Sequence, residues 1–426
     1  MSDRWPLEQK LEVLMSMAMD DRDGPPSAPS SRPPRLRNTK NVGALRPLNI
    51  RTVQSGPRTR STLLRVLMTN ACTFNCFYCP MRRDRSLPRT LLKPEELVRI
   101  FLGALRRGWC SGLFVTTGIP GRPVKVLDDL IEALELLRLR HLFRGYIHVK
   151  LVPGGEAAQI ERITQLSSRV SLNLETPCGV SLEQIAPEKK FDVTLGDLER
   201  VRRLVMGARA EEASGRPRDS LQPGGTAGLT MQFVVGATPD SDKTILDRVN
   251  ELYAGGGIHH AHFSAFRPIR ETPMESQRAA PPLREHRLYQ ADHLVRRYGY
   301  AASEVVYDEA GNLPLAMDPK TAWAITHPDS FPVEVRTASH KRLLRVPGIG
   351  PESARRIVDT RRDTIIRGLV DLGRLGVVTS RAAGFLTIDG RRLQTVRWEQ
   401  QLGFWTPDEE AGAYQLVYDV SPGTFR

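Results

Sequence analysis

From Leu63 to about residue 300, short β-rich runs alternate with stretches of helical periodicity. The runs are Leu63–Thr69, Leu113–Thr117, Tyr146–Leu151, Val170–Glu175, Leu229–Val235 and His260–Phe266. Apolar residues recur at three- and four-residue spacing near 94–108, 124–142, 156–167, 194–210, 242–254 and 284–298, which predicts a helix after each run. The first of these opens on Pro94, Glu95 and Glu96; proline pre-sets φ for a first turn, and acidic residues there complement the helix dipole. Such alternation predicts a parallel sheet with right-handed helical crossovers. The pattern alone fits an open (β/α)6 barrel or a doubly wound sheet.

Two of the predicted strands divide cleanly by face. In one, Ser171, Asn173 and Glu175 oppose Val170, Leu172 and Leu174; in another, Tyr146, His148 and Lys150 oppose Ile147, Val149 and Leu151. A strand covered on both faces reads as continuously apolar. Polar residues on one face therefore predict a wet, functional interior whose active end lies at the strand C-termini.

The flanks read differently. Leu7, Leu11, Leu14 and Ala18 predict a short helix within 1–21. The Pro-, Ser- and Arg-rich stretch over 22–60 lacks the apolar residues of a core and is expected to be a flexible basic linker. Residues 211–228 read as a surface excursion from a barrel spanning 61–300. Beyond it lie a connector (301–333), a small all-α domain (334–397) and a tail (398–426).

At 426 residues, with 40% hydrophobic and 26% charged content, the chain has the composition of a globular protein of two or three domains. Its net charge of +13 is uneven. Residues 24–65 carry nine Lys/Arg and no Asp/Glu, and 334–397 carry a basic surplus of eight, so the remainder is net −4. A slightly acidic body with two basic appendages points to a polyanionic partner. No signal-peptide h-region follows the start and no apolar run is long enough to span a bilayer, so a cytoplasmic setting without membrane contact is expected.

Three of the five cysteines fall in Cys72-Thr-Phe-Asn-Cys76-Phe-Tyr-Cys79. A structural zinc site or a fully ligated iron–sulfur cluster needs four donors. This loop supplies three, which on a cubane leaves one iron open to a small molecule. Cys110 and Cys178, isolated beside predicted strands, read as buried unreactive thiols.

The CxxxCxxC loop directly after the first strand, with Tyr78 before its third cysteine, resembles the radical SAM superfamily. The resemblance implies a (β/α)6 partial, TIM-like barrel. It implies that Cys72, Cys76 and Cys79 hold a [4Fe–4S] cluster whose open iron binds S-adenosylmethionine, cleaved to a 5′-deoxyadenosyl radical. It also implies an electron donor such as flavodoxin or ferredoxin. By position, Tyr78, Thr117 and Gly118, Lys150, Asn173 and Glu175, and Gln232 are the expected cofactor contacts. The turn Phe114-Val-Thr-Thr-Gly118 lacks the acidic residue usual there.

A second motif runs Thr337-Ala-Ser-His-Lys-Arg-Leu-Leu-Arg-Val-Pro-Gly-Ile-Gly350, with a helix expected from Pro351. Glycine permits a tight turn, and the N–H groups of a helix start favour an anion. This resembles a helix–hairpin–helix, in which Lys341, Arg342, Arg345, Gly348, Gly350, Arg355 and Arg356 would grip DNA backbone without reading bases. Residues 372–382 resemble a weaker partner hairpin.

Together with Gly145-Tyr-Ile-His-Val-Lys150, Val235-Gly-Ala-Thr-Pro239 and Arg284-Glu-His-Arg-Leu-Tyr-Gln-Ala-Asp292, the chain resembles a DNA modification or repair family of radical SAM proteins. Its members accompany a uracil-DNA-glycosylase-like partner. Two departures are the Pro/Arg-rich linker and the run Pro80-Met-Arg-Arg-Asp after the third cysteine. The expected activity is modification or repair of a nucleotide in DNA. The alternatives are a radical enzyme of RNA (tRNA) modification and a non-catalytic iron–sulfur DNA-binding protein.

Overall fold

A computed structural model describes residues 5–18, 50–54, 60–214 and 228–393. The chain divides into two compact units: Met1–Asp240 with Arg248–Pro282, and Ser241–Asp247 with Leu283–Arg426.

In the first unit α1 (Leu7–Ala18) precedes β1 (Ile50–Gln54) and β2 (Arg60–Leu67). Then follow α2 (Pro94–Arg106), β3 (Gly112–Thr116), α3 (Pro123–Glu135), β4 (Tyr146–Leu151), α4 (Ala157–Leu166), β5 (Arg169–Glu175), α5 (Gly179–Ile185), α6 (Phe191–Ala213), β6 (Gly228–Val235) and β7 (Ile258–Ala265), with α7 (Asp242–Ala254) between the last two strands, its first turns falling in the second unit's segment Ser241–Asp247. The seven strands lie in sequence order, with β2 to β7 parallel and β1 antiparallel to β2. A doubly wound sheet reverses its strand order at a switch point. Sequential order is that of a partial barrel.

Three expectations are corrected here. Residues 50–54 are not linker: Ile50-Arg-Thr-Val-Gln54, β-branched at Ile50, Thr52 and Val53, pairs from Ile50↔Leu64 to Gln54↔Arg60. The rest of 22–60, apart from Arg60, lies outside the described residues, as do 215–227 of the expected excursion and the tail. The long helix expected over 124–142 gives way at Leu136–Arg140 to a π-helical turn. There Arg138, fully buried, donates to the carbonyls of Leu166 (2.9 Å), Phe143 (2.8 Å) and Gly145 (2.8 Å). The helix at the end of the expected barrel falls in the second unit, so the boundary is at Pro282 and not near 300.

The outer face of the sheet is the apolar one. Leu64, Val66, Leu113, Val115, Ile147, Val149, Val170, Leu172, Leu229, Met231, Ala261 and Phe263 are all buried. The inner face carries Arg65, Phe114, His148, Lys150, Ser171, Thr230, Gln232 and His262, also buried but almost wholly polar. The alternation read from β4 and β5 therefore extends across the sheet. Buried polar groups must be satisfied: Arg65 lies 4.5 Å over the Phe114 ring, and His148 Nε2 sits 2.9 Å from Ser171 Oγ.

The second unit holds α8 (Pro282–Tyr298), α9 (Pro319–Thr326), β8 (Val333–Glu334), α10 (His340–Leu343), α11 (Pro351–Asp363), α12 (Leu369–Arg374), α13 (Thr379–Ala382), β9 (Leu386–Ile388) and β10 (Arg391–Arg392). Its core includes Leu294, Tyr300, Trp323, Val335, Leu343, Val346, Ile349, Ile357, Leu372 and Phe385. It is not all-α: β8, β9 and β10 form a three-stranded sheet. Strands of two or three residues carry no period-two pattern, so the sequence offers no sign of them. Among the described residues no helix is long and apolar enough to cross a membrane.

Candidate active site

The cysteine loop leaves the C-terminal end of β2 and is tied down by its own backbone. Gly118 N–H donates to Thr69 O (2.8 Å), Thr73 N–H to Ile119 O (2.8 Å), and Phe77 N–H to Ile185 O (2.8 Å). Gly118 is required sterically: a Cβ there would lie 2.3 Å from Ala71 O and 3.0 Å from Thr69 O. The residue expected to meet a cofactor thus first seats the cluster loop against the turn after β3.

Two arginines complete the loop. Arg89 donates to the carbonyls of Asn70 (2.6 Å), Met81 (2.8 Å), Arg82 (2.5 Å) and Arg85 (3.0 Å). Arg82 Nε donates to Asn75 Oδ1 at 2.7 Å, while Asn75 Nδ2 donates to Asp84. The run Pro80-Met-Arg-Arg-Asp therefore braces the loop through Asn75.

Cys76 is buried, and Cys72 and Cys79 are half-buried; none is in a disulfide. The loop beds into apolar residues of α5 and neighbouring segments, among them Leu182, Ile185, Ala186, Ala237 and Phe266. Burial pushes the Cys76 thiol up to about 11, opposed by Lys189, and, with Cys76, pushes Cys79 up to about 12, opposed by the Met81 N–H and Lys189. Thiols that resist ionisation alone fit a role as ligands, because bound iron replaces the proton. Among the described residues no three His, Cys, Asp or Glu side chains are arranged around a single ion; a cubane takes each cysteine on a different iron.

The strand ends add a charged constellation. The β5–β6 ladder slips between Asn173 and Glu175, and Glu175 takes a left-handed φ of 68°. Outside glycine that backbone region is sparsely occupied, and a bulge re-aims the side chain that follows it. Glu175 consequently leaves the face it was expected to share with Ser171 and Asn173. Its Oε1 accepts from Lys189 Nζ at 2.6 Å, and Lys189 Nζ also lies 3.4 Å from Tyr78 OH. Burial alone would raise the Glu175 carboxyl; Lys189, then Tyr78, hold it below the usual range. Tyr78 is pushed well up by burial and by Glu175.

Glu175 Oε2 and Asn173 Oδ1 are buried with no partner among the described residues. Lys150 Nζ donates to Gln232 Oε1 at 3.0 Å on the adjoining inner face. Thr117 turns its hydroxyl to Gly118 O (2.8 Å). Of the expected cofactor residues, the structure thus joins Tyr78 to Glu175 and Lys150 to Gln232, and leaves Asn173 between them in register with Gln232. Lys189 escaped the sequence reading: in Pro187-Glu-Lys-Lys190 it is one charge among several, and no spacing marks it. Cys110 is buried and Cys178 half-buried, its sulfur 3.4 Å from Ser181 Oγ.

The three-thiol loop thus follows a parallel strand, and Lys189 links its Tyr78 to the buried Glu175, one of whose carboxylate oxygens has no partner among the described residues. Residues 66–205 match the family model of the Radical SAM superfamily. Over that third of the chain it is similar to the superfamily, whose cofactors are a [4Fe–4S] cluster and S-adenosylmethionine; the residues above fit both.

Solved structures similar to the chain include the [FeFe]-hydrogenase maturase HydG from Carboxydothermus hydrogenoformans (18% identity, 55% of this chain, 51% of that one, TM-score 0.43). Methylornithine synthase PylB (13%, 53% and 60%, TM-score 0.40) and Streptococcus suis SuiB bound to S-adenosylmethionine (14%, 55% and 47%, TM-score 0.40) are others. The chain spans about half the length of the maturase it matches. No curated protein sequence matches it.

In the second unit, α10 and α11 are joined by a turn at Val346–Gly350. Gly348 has φ 82°, and a Cβ on it would lie 2.5 Å from Val378 O; Val378 N–H donates to Gly348 O at 2.9 Å. Gly350 is the N-cap of α11. Lys341, Arg342, Arg355 and Arg356 are exposed around this turn, with Arg355 paired to Glu352. Arg345 is a correction. Its guanidinium donates to Glu304 at 2.6 and 3.0 Å and lies 3.8 Å over the Tyr300 ring and 4.7 Å over Trp323, so it holds the unit together and is not a phosphate contact.

Proposed function

We propose that this chain is a radical SAM enzyme that modifies or repairs a nucleotide in DNA. The observation that carries the radical reading is the three-cysteine loop seated at the C-terminal end of β2 beside a buried polar inner face. Cys72, Cys76 and Cys79 would hold the cluster. Glu175, Asn173 and the Gly118 turn would orient S-adenosylmethionine, with Tyr78 and Lys189 fixing Glu175, and Lys150 and Gln232 would face cofactor or substrate. When bound, the two cofactors supply an electron and a hydrogen-abstracting radical; the chain's own task is to orient them and exclude water.

The DNA reading is supported by the tight Gly348–Gly350 turn at the start of α11 and by exposed Lys341, Arg342, Arg355 and Arg356 around it, in the manner of a helix–hairpin–helix. The target nucleotide would be unstacked, since a buried radical cannot reach an atom inside a duplex. An electron donor such as flavodoxin or ferredoxin and a uracil-DNA-glycosylase-like protein complete the proposed partners, in a cytoplasmic setting.

Anaerobic reconstitution with S-adenosylmethionine and dithionite tests the first part. 5′-Deoxyadenosine should form, and Cys76→Ala should abolish it while leaving DNA binding; no product from the intact chain refutes enzymatic radical chemistry. Affinities for duplex DNA and tRNA at matched salt test the second, and tighter tRNA binding would overturn the DNA reading.

A further inference from the structure

Both slips in the parallel sheet fall at titratable residues. The second lies between β6 and β7, where Leu229 pairs with Ile258 and Thr230 with His260, making His259 an extra residue. A regular pleat sends consecutive side chains to opposite faces, whereas a bulge brings two together. The result is a continuous line of imidazoles. His259 Nδ1 lies 2.6 Å from His260 Nδ1, and His260 Nε2 lies 3.0 Å from His262 Nε2. Exposure falls along the line: His259 is exposed, His260 half-buried and His262 only 7% exposed.

At such distances each contact needs a proton on one nitrogen and a lone pair on the other. His260 is engaged through both nitrogens, one toward each neighbour, and among the described residues the three do not converge on an ion. Near neutral pH, imidazole accepts a proton at one nitrogen and gives one from the other.

We propose that His259, His260 and His262 form a proton relay from solvent to the inner face of the first unit's sheet. A proton from water binds His259, whose Nδ1–H passes to His260 Nδ1. His260 then releases its Nε2 proton to His262 Nε2, and His262, now protonated on both nitrogens, gives up its Nδ1 proton to the group held in the chamber. One proton enters for each delivered, and no electron moves. At the inner end, His262 stands in register with Gln232, which accepts from Lys150, and the buried Thr230 stands in register with His260. A group held in the chamber thereby exchanges protons with solvent while bulk water stays outside. The relay rests on reading the inner face as the reaction chamber, but its test does not.

The test is nuclear magnetic resonance of the full-length protein with 15N-labelled histidine, following exchange of the His262 ring proton with water. His260→Phe keeps a ring and removes both nitrogens. Exchange must then wait for local opening, and should slow on the order of tenfold or more at an unchanged melting temperature. If that variant does not fold, His259→Phe at the exposed end blocks entry and should slow exchange likewise. An unchanged rate in either folded variant overturns the relay. The measurement needs no cofactor, so that failure would leave the radical chemistry to be decided separately by 5′-deoxyadenosine formation.

Discussion

The pair Lys189–Glu175 yields a quantitative expectation. Glu175 is 2% exposed and Lys189 15%, with 2.6 Å between Nζ and Oε1. At an effective dielectric constant near 20, opposite charges at that separation attract by about 6 kcal/mol, most of which repays desolvation. Removing one partner leaves a buried charge uncompensated and costs ~3–5 kcal/mol. Lys189→Met should fall at the low end, because Glu175 can take up a proton, and Glu175→Gln at the high end, because the ammonium stays charged. Glu175→Gln with Lys189→Met removes both charges and should recover to within ~1 kcal/mol of the parent. With two compact units, a single unfolding midpoint would blend their stabilities. Hydrogen exchange of peptides spanning 169–190 reads the local opening free energy instead. The single variants should exchange about a hundred- to a few-thousand-fold faster, at 1.36 kcal/mol per decade. Additive effects in the double variant would refute the coupling, leaving Lys189 as a surface lysine that happens to fold inward.

Other expectations follow from geometry. Gly118→Ala must push the cluster loop back by about 1 Å at a cost of ~1–3 kcal/mol, lowering iron bound per chain. Gly196→Ala in α6, with nothing within 4 Å of its Cβ, should stabilise by ~0.5–1 kcal/mol in a thermal melt. Arg345→Met should destabilise the second unit by ~2 kcal/mol, read as faster hydrogen exchange of peptides around Tyr300, Trp323 and Arg345; Lys341→Ala with Arg342→Ala should instead weaken nucleic-acid binding and flatten its salt dependence at unchanged stability. Burial alone would raise the Asp318 carboxyl, but Arg381 and Thr321 hold it below the usual range. Its stabilisation is therefore complete above the unfolded value, about 3.9, and is lost as pH falls through the folded one. Asp318→Asn should remove that part of the acid limb of melting temperature against pH.

The parallel strands were legible because runs such as Val170–Glu175 alternate strictly and the helices between them keep their period. The cysteine spacing was equally plain. What escaped was register. Nothing in His259-His260 or Leu174-Glu175 marks a slipped ladder, yet the slip aims both side chains. Short pairing segments escaped for a related reason: Ile50–Gln54 and β8 to β10 are too brief for periodicity and depend on a partner strand elsewhere. Arg345 misled because charge spacing cannot reveal that Glu304, Tyr300 and Trp323 fold beneath it.

The antiparallel strand β1 has a topological consequence. Ile50 pairs with Leu64, near the end of β2 from which the cysteines depart, while Gln54 pairs with Arg60 at the other end. At the far side of the intervening stretch, Met17 Sδ accepts from Asn70 Nδ2 at 3.2 Å, beside the same loop. Met17 and Ile50 are therefore fixed at the same edge of the sheet as the cysteine loop, so α1 and β1 brace the loop from outside the parallel strands.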